Sequence, residues 1–353
     1  MVILCRFFTI FVGSVMKIVV APDSFKECLP AGRVAAVMAA AIAEKQPRAR
    51  VQAIPLSDGG EGLLDVLAPA LDARLHTATV KNPVGKPVRA RFAVWGRTAI
   101  IEVAQACGLS LLTPEERRPL ETDTRGVGEL LLAARRLGCR HFLVGLGGSA
   151  TCDGGMGMLS VPGIHQLKDS RFELLCDVDA PFIGPRGAAR VFGPQKGASP
   201  SDVELLEDRM LRLAEKWRQE NGMDVADIPG AGAAGGLGGA FLVHFGASRL
   251  SGIRKVLDLV HFREAAGEAD LIITGEGRSD AQTLLGKVPF GVLQNAGKVP
   301  VALVSGRVDD REILERAGFG PIREVTPREI PLEEALLPET AETLLFRAVQ
   351  SLL

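Results

Sequence analysis

A polypeptide of 353 residues exceeds the usual reach of one hydrophobic core, so two domains are expected. Its 41 basic and 42 acidic residues leave a formal net charge of -1 with no long block of either sign, which excludes a nucleic-acid-binding surface and leaves recognition to local charges. With 47% hydrophobic and 24% charged residues, the composition is that of an ordinary soluble globular protein.

Residues 1–15, MVILCRFFTIFVGSV, are apolar but interrupted by Arg6, and they are too short to cross a bilayer of about 30 Å as a helix. They carry no small-x-small cleavage site and read as an extension upstream of MKIVVAPDS, where Met16 opens a natural first strand. No membrane partner is expected. Apolar runs bounded by turn signals predict strands at 17–21, 51–56, 141–145, 173–176, 271–274 and 301–305. Helical patterns follow most of them, at 31–45, 125–137, 202–219 and 281–296, and this alternation is the signature of an α/β fold. Ser201 is expected to cap the third helix and Gly138 to end the second. From His76 to Gly108 the rhythm changes to short pieces broken by Pro83, Gly85, Pro87 and Gly96, as in a hairpin region. The expected organisation is therefore one domain made of 16–75 and 265–353, with a second, 76–264, inserted into it. The cysteines Cys5, Cys28, Cys107, Cys139, Cys152 and Cys176 form no C-x-x-C pair and no zinc-ligand spacing, which fits reduced thiols in a cytoplasmic protein.

Ligands of open α/β sheets bind beyond the carboxyl ends of strands, and there the sequence is unusually polar. APDSFKE supplies Asp23, Ser24 and Lys26; SDGGEG supplies Asp58 and Glu61 beside Gly59 and Gly60. The stretch GLGGSATCDGGMG, residues 145–157, holds Gly147, Gly148, Ser149 and Asp153, and LLCDVD holds Asp177 and Asp179. LIITGEGRSDAQTLLGK adds Glu276, Arg278, Asp280 and Lys287. Helix capping is the plain alternative for Asp23, Asp58 and Asp280 taken singly. Capping does not explain the repetition of carboxylates beside glycine pairs, which suits phosphate and magnesium. GAGAAGGLGG, residues 230–239 with Gly235 and Gly236, matches G-x-G-x-x-G formally, but no apolar strand precedes it, so a dinucleotide site is not expected and close helix packing is the alternative. No Walker A motif and no protein-kinase H-R-D or D-F-G set occurs. Glycine turns can still form an anion-binding concavity from backbone amides.

Together these blocks, with CDVDAPF, FGPQKGA and DIPGAGAAGGLGG, resemble the bacterial type I glycerate kinases in the same order from Met16 to the C-terminus. The resemblance implies ATP-dependent phosphorylation of D-glycerate, at the 2-hydroxyl to give 2-phosphoglycerate, by a Rossmann-like parallel-sheet domain with a second α/β domain inserted and an active site in the interdomain cleft. On this reading Gly147, Gly148 and Ser149, with the glycines from Gly235 on, cradle phosphates, and Lys196 and Lys26 face the γ-phosphate or the glycerate carboxylate. Asp177 or Asp179 holds magnesium, and Asp58 or Asp153 is the general base. Asp23, Ser24, Gly59, Gly60, Glu61, Glu276, Arg278, Asp280 and Lys287 would line the substrate and nucleotide sites. The chain departs from the pattern in being short between Leu159 and Glu173 and in having Cys152 and Ala180 where asparagine is common. The expected partners are small molecules, acting on a monomer or homodimer. The alternatives are a kinase for another hydroxy acid and a non-catalytic ligand-binding relative.

Overall fold

The computed structural model describes residues 15–353, so the expectation for the apolar N-terminal extension lies outside it apart from Val15. The chain divides into two compact units, one made of the residues up to Ser57 with Val256–Leu353, the other of Asp58–Lys255.

The first unit begins with β1 (Lys17–Val20), α1 (Ala31–Lys45) and β2 (Arg50–Ala53). In α1 the residues Val34, Ala35, Met38, Ala41 and Ile42 recur at three- and four-residue spacing and are buried, which fixes one apolar face against the sheet.

The second unit runs through α2 (Leu63–Ala70), β3 (Arg74–Lys81), β4 (Pro87–Trp95), β5 (Thr98–Glu102), α3 (Ala104–Cys107), α4 (Arg125–Arg136), β6 (His141–Gly145), α5 (Met156–Leu159), β7 (Arg171–Leu175), α6 (Ala188–Phe192), α7 (Pro200–Asn221), α8 (Leu237–Phe245), β8 (Ser248–Leu250) and the first half of α9 (Gly252–Leu259). Its six strands lie in chain order, β3 to β8, antiparallel over the first three and parallel from β5 onward. The hairpin expected from Pro83 and Gly85 is β3–β4, whose turn is held by Asn82 Oδ1 accepting from Val84 N and Lys86 N. The unit starts at residue 58 rather than 76, and the chain leaves it at 255 rather than 264. The reason is that α2, with Leu63, Leu64 and Leu67 fully buried, packs on β4 and β5. On one face of the sheet Phe142 stacks on Phe172 at 4.8 Å, within a core that includes Phe182, Trp217 and Phe241. The crossover from β6 to β7 buries Val161, Ile164 and Leu167 in that core, and β6 and β7 pair in parallel. Helix α7 is capped by Ser199 rather than Ser201: Pro200 occupies the first turn, and Ser199 N donates to Asp202 Oδ2 at 2.9 Å in a reciprocal capping box. Gly138 follows α4 at φ 90°, as expected.

The chain then returns through α10 (Phe262–Gly267), β9 (Leu271–Thr274), β10 (Arg278–Ser279), α11 (Val288–Asn295), β11 (Val301–Ser305), β12 (Arg307–Val308), α12 (Arg311–Ala317), β13 (Phe319–Glu324), α13 (Leu332–Ala335) and α14 (Pro338–Leu352). The helix expected over 281–296 is broken: a short 3-10 turn, Ala281–Leu285, ends at Gly286 with φ 107°, and α11 starts afresh with Pro289 in its first turn. The five-stranded sheet is fully parallel in the order β2-β1-β9-β11-β13. Counting only this unit's strands, that is the doubly wound order 2-1-3-4-5, in which winding reverses between β1 and β9 and a ligand crevice is expected at their carboxyl ends.

Candidate active site

In the first unit the residues that follow β1 and β9 meet. Asp23 N donates to Gly275 O at 2.9 Å, and Asp23 Oδ1 accepts from Ser24 N at 2.7 Å. Asp23 is buried, whereas Lys26 and Arg278 are exposed. Glu276 is 5% exposed; its Oε1 accepts from Thr283 Oγ1 at 2.6 Å and Ser279 Oγ at 3.0 Å, and its Oε2 faces Lys287 Nζ at 3.3 Å. Burial pushes this carboxyl above its ordinary range against the pull of Lys287, Thr283 and Ser279. Ser305, the last residue of β11, shares a 2.7 Å hydrogen bond with Ser279. Asp280 caps the next turn through Gln282 N at 2.9 Å, and Arg278 pairs with Asp309 at 2.9 Å. The structure thus assembles Asp23, Glu276, Asp280 and Lys287 at the expected strand ends. It adds Ser279, Thr283 and Ser305, of which Ser305 was legible as the polar end of a predicted strand.

In the second unit the glycines of the 145–157 stretch are explained by close backbone approach. A Cβ on Gly147 would stand 2.6 Å from Gly60 Cα, so the 58–62 and 147–149 loops touch main chain to main chain. Among the described residues the amides of Gly147, Gly148 and Ser149 have no hydrogen-bond acceptor. Behind them lies Lys196, 2% exposed, whose Nζ donates to Ser149 Oγ at 2.9 Å and Thr151 O at 2.7 Å. No carboxylate of the described residues comes within 4.0 Å of it. A buried ammonium whose hydrogen-bond partners are neutral, next to a glycine turn whose amides have no acceptor among the described residues, suits an anion.

The four aspartate candidates of this unit separate clearly. Asp153 accepts from Thr124 N (2.9 Å), Thr124 Oγ1 (2.8 Å), Gly155 N (3.0 Å) and Gly157 N (2.8 Å), so its oxygens tie together the starts of α4 and α5. Burial raises its carboxyl pKa against those four donors. Asp177 Oδ1 and Oδ2 accept from Gly252 N at 3.2 Å and Ile253 N at 3.1 Å, capping α9; burial, joined by the Asp58 charge, raises its pKa against the pull of Ser251 and these amides. Asp179 Oδ1 pairs with Arg249 at 2.6 Å. A magnesium ion does not fit the Asp177–Asp179 pair, because one carboxylate is spent on amides and the other on a guanidinium. Among the described residues no group of three or more histidine, cysteine, aspartate or glutamate side chains could hold a metal. Asp58 differs: its Oδ1 accepts from Gly60 N at 2.9 Å, and its half-buried side chain takes no second hydrogen bond from a described residue.

Gly235 and Gly236 do not join this cradle. A Cβ on Gly235 would fall 1.9 Å from Thr151 O, and one on Gly236 2.8 Å from Phe182; both residues are buried, and Gly236 N is spent on Gly232 O. Close packing, the alternative for this cluster, is what the glycines serve. A residue that sequence reasoning missed is Glu102, 2% exposed at the carboxyl end of β5, a strand hidden in the hairpin region.

Comparison with known proteins decides the relationship. The profile of the Glycerate kinase family matches residues 18–167 and 163–353. The chain belongs to the glycerate kinase family. It is 39% identical to the glycerate kinase of Bacillus subtilis (strain 168) over 354 aligned positions, covering 91% of this chain and 93% of that one. To the glycerate 2-kinase of Escherichia coli (strain K12) it is 38% identical, with the same coverage. A crystal structure from Salmonella typhimurium LT2, provisionally described as glycerate kinase 2, superposes with a TM-score of 0.81 at 36% identity, covering 96% of this chain and 97% of that one. The enzyme is therefore a kinase that transfers phosphate to an alcohol group. The family match breaks at 163–167, inside the crossover from β6 to β7, and the 354 aligned positions exceed the share of this chain they occupy. No helix of the described residues is long and apolar enough to cross a membrane.

Proposed function

We propose that this protein phosphorylates D-glycerate with ATP at the 2-hydroxyl, giving 2-phosphoglycerate. The observation that carries the reading is the buried Lys196 ammonium, bonded only to Ser149 Oγ and Thr151 O, beside a glycine turn in which the amides of Gly147, Gly148 and Ser149 have no acceptor among the described residues. Phosphoryl transfer spreads negative charge over the moving group, and preorganised amides with a lysine behind them stabilise that charge without reorganising at the moment of reaction. Asp58 is the base: its Oδ1 is oriented by Gly60 N while the other oxygen remains available for the hydroxyl proton. Asp153, the alternative, has both oxygens committed. The name glycerate 2-kinase carried by the Escherichia coli relative supports the 2-hydroxyl. Phosphorus NMR of the product from D-glycerate and ATP tests substrate, donor and position together. A 2-phosphate resonance with stoichiometric ADP is the expected result; a 3-phosphate, or no turnover with glycerate, overturns it.

A further inference from the structure

We propose that Glu102 is a positioning residue for the phosphoryl transfer, holding the 58–62 loop, and with it Asp58, against the 147–149 loop. The proposal rests on Asp58 acting as the base. Helix α2 begins directly after that loop, and its own sequence provides no cap: Gly62 stands at the N-cap with φ 88° and no side chain to accept a hydrogen bond. The left-handed turn requires glycine at this position, so a serine or aspartate cap is unavailable to the fold. The acceptor comes instead from β5. Glu102 Oε2 accepts from Leu64 N at 3.3 Å, and the Gly62 amide and the Gln105 side chain lie near enough to favour its charged form.

Three further observations give this contact its weight. Glu102 is 2% exposed, and no cation of the described residues pairs with it, so uncharged donors and the helix dipole balance a buried carboxylate. Across the ladder Glu102 is registered with Gly145, two residues before the open amides begin. The two loops also touch at Gly60 and Gly147, where no side chain could intervene. One carboxylate therefore connects the strand pair that leads into the 147–149 loop to the helix start that follows directly on the loop carrying Asp58. A misplacement of about 1 Å in a reacting group costs on the order of a hundredfold in rate, so an anchor of this kind acts on turnover rather than on affinity.

Two conservative variants separate reach from charge. Glu102→Gln keeps the length and an oxygen that can accept from Leu64 N; Glu102→Asp keeps the charge but withdraws the oxygen by one methylene. Turnover of Glu102→Gln is expected within about fivefold of wild type, and that of Glu102→Asp lower by roughly thirtyfold or more, with KM for glycerate and ATP changed less than about threefold. Glu102→Asp at wild-type turnover, or Glu102→Gln slower than Glu102→Asp, overturns the proposal. Hydrogen exchange of the Leu64 amide reads the anchor without reference to activity, so it separates failure of this proposal from failure of the glycerate assignment. Faster exchange in Glu102→Asp with wild-type exchange in Glu102→Gln supports the anchor, and unchanged exchange in Glu102→Asp overturns it.

Discussion

Replacing Lys196 with methionine separates an anion site from an ordinary buried strut. Methionine keeps the aliphatic stem that packs near the Phe192 ring, 5.9 Å from Nζ, and removes the ammonium. The loss leaves Thr151 O, an acceptor 2.7 Å from Nζ, without its donor, at about 1–3 kcal/mol. Against this, a 2%-exposed ammonium with no carboxylate partner no longer has to be desolvated, a relief of several kcal/mol in principle. The two terms oppose, so the melting temperature is expected to move by no more than about 6 °C, at 2–4 °C per kcal/mol for a unit of this size. The transition state has no such compensation. Removing a preorganised donor from a site where charge develops costs about 2.7–4 kcal/mol, a fall of 10²–10³ in turnover. A coupled assay of ADP release with glycerate, run beside thermal unfolding, reads both quantities. Lys196→Met that keeps more than about a third of wild-type turnover, or that unfolds early while its folded fraction works normally, would refute the reasoning.

The remaining expectations divide along the same line. Asp58→Asn should lower turnover by about a hundredfold or more with the fold intact, whereas Asp153→Ala strips four hydrogen bonds from two helix starts and should cost about 3–5 kcal/mol of stability in a denaturant titration. If Asp153→Ala unfolds like wild type yet is inactive, the roles of the two aspartates are reversed. Gly235→Ala forces a Cβ to within 1.9 Å of Thr151 O and should cost at least about 3 kcal/mol; soluble protein with an unchanged melting point would contradict the packing role. Burial pushes the Cys107 thiol up to about 12 and the Cys176 thiol up to about 11, and also raises Cys152. At pH 8 about one Cys107 or Cys176 thiol in a thousand or fewer is ionised, so iodoacetamide on the native protein should leave these two unalkylated by mass spectrometry. Rapid labelling at either would show that the burial is not maintained in solution.

What the sequence by itself determined is whatever depends on local pattern. The alternation of strand and helix, the hairpin after Pro83 and Gly85, and the polar residues beyond β1, β6, β7 and β9 follow from side-chain periodicity and from the rule that ligands meet strand ends. The proposed anion site was legible because six glycines among thirteen residues, 145–157, require a reason. Tertiary structure decided the rest, since several aspartates in near-identical glycine contexts differ only in what packs beside them. Asp153 found Thr124 from a segment 29 residues away, Asp177 found the start of α9, Asp179 found Arg249, and Asp58 kept an oxygen free of any described donor. The glycines at 235 and 236 look like a nucleotide loop until Phe182 and Thr151 are seen against them. Glu102 was invisible for the same reason: a carboxylate in IIEVA acquires its meaning only when β5 ends beside a helix start that has no cap of its own.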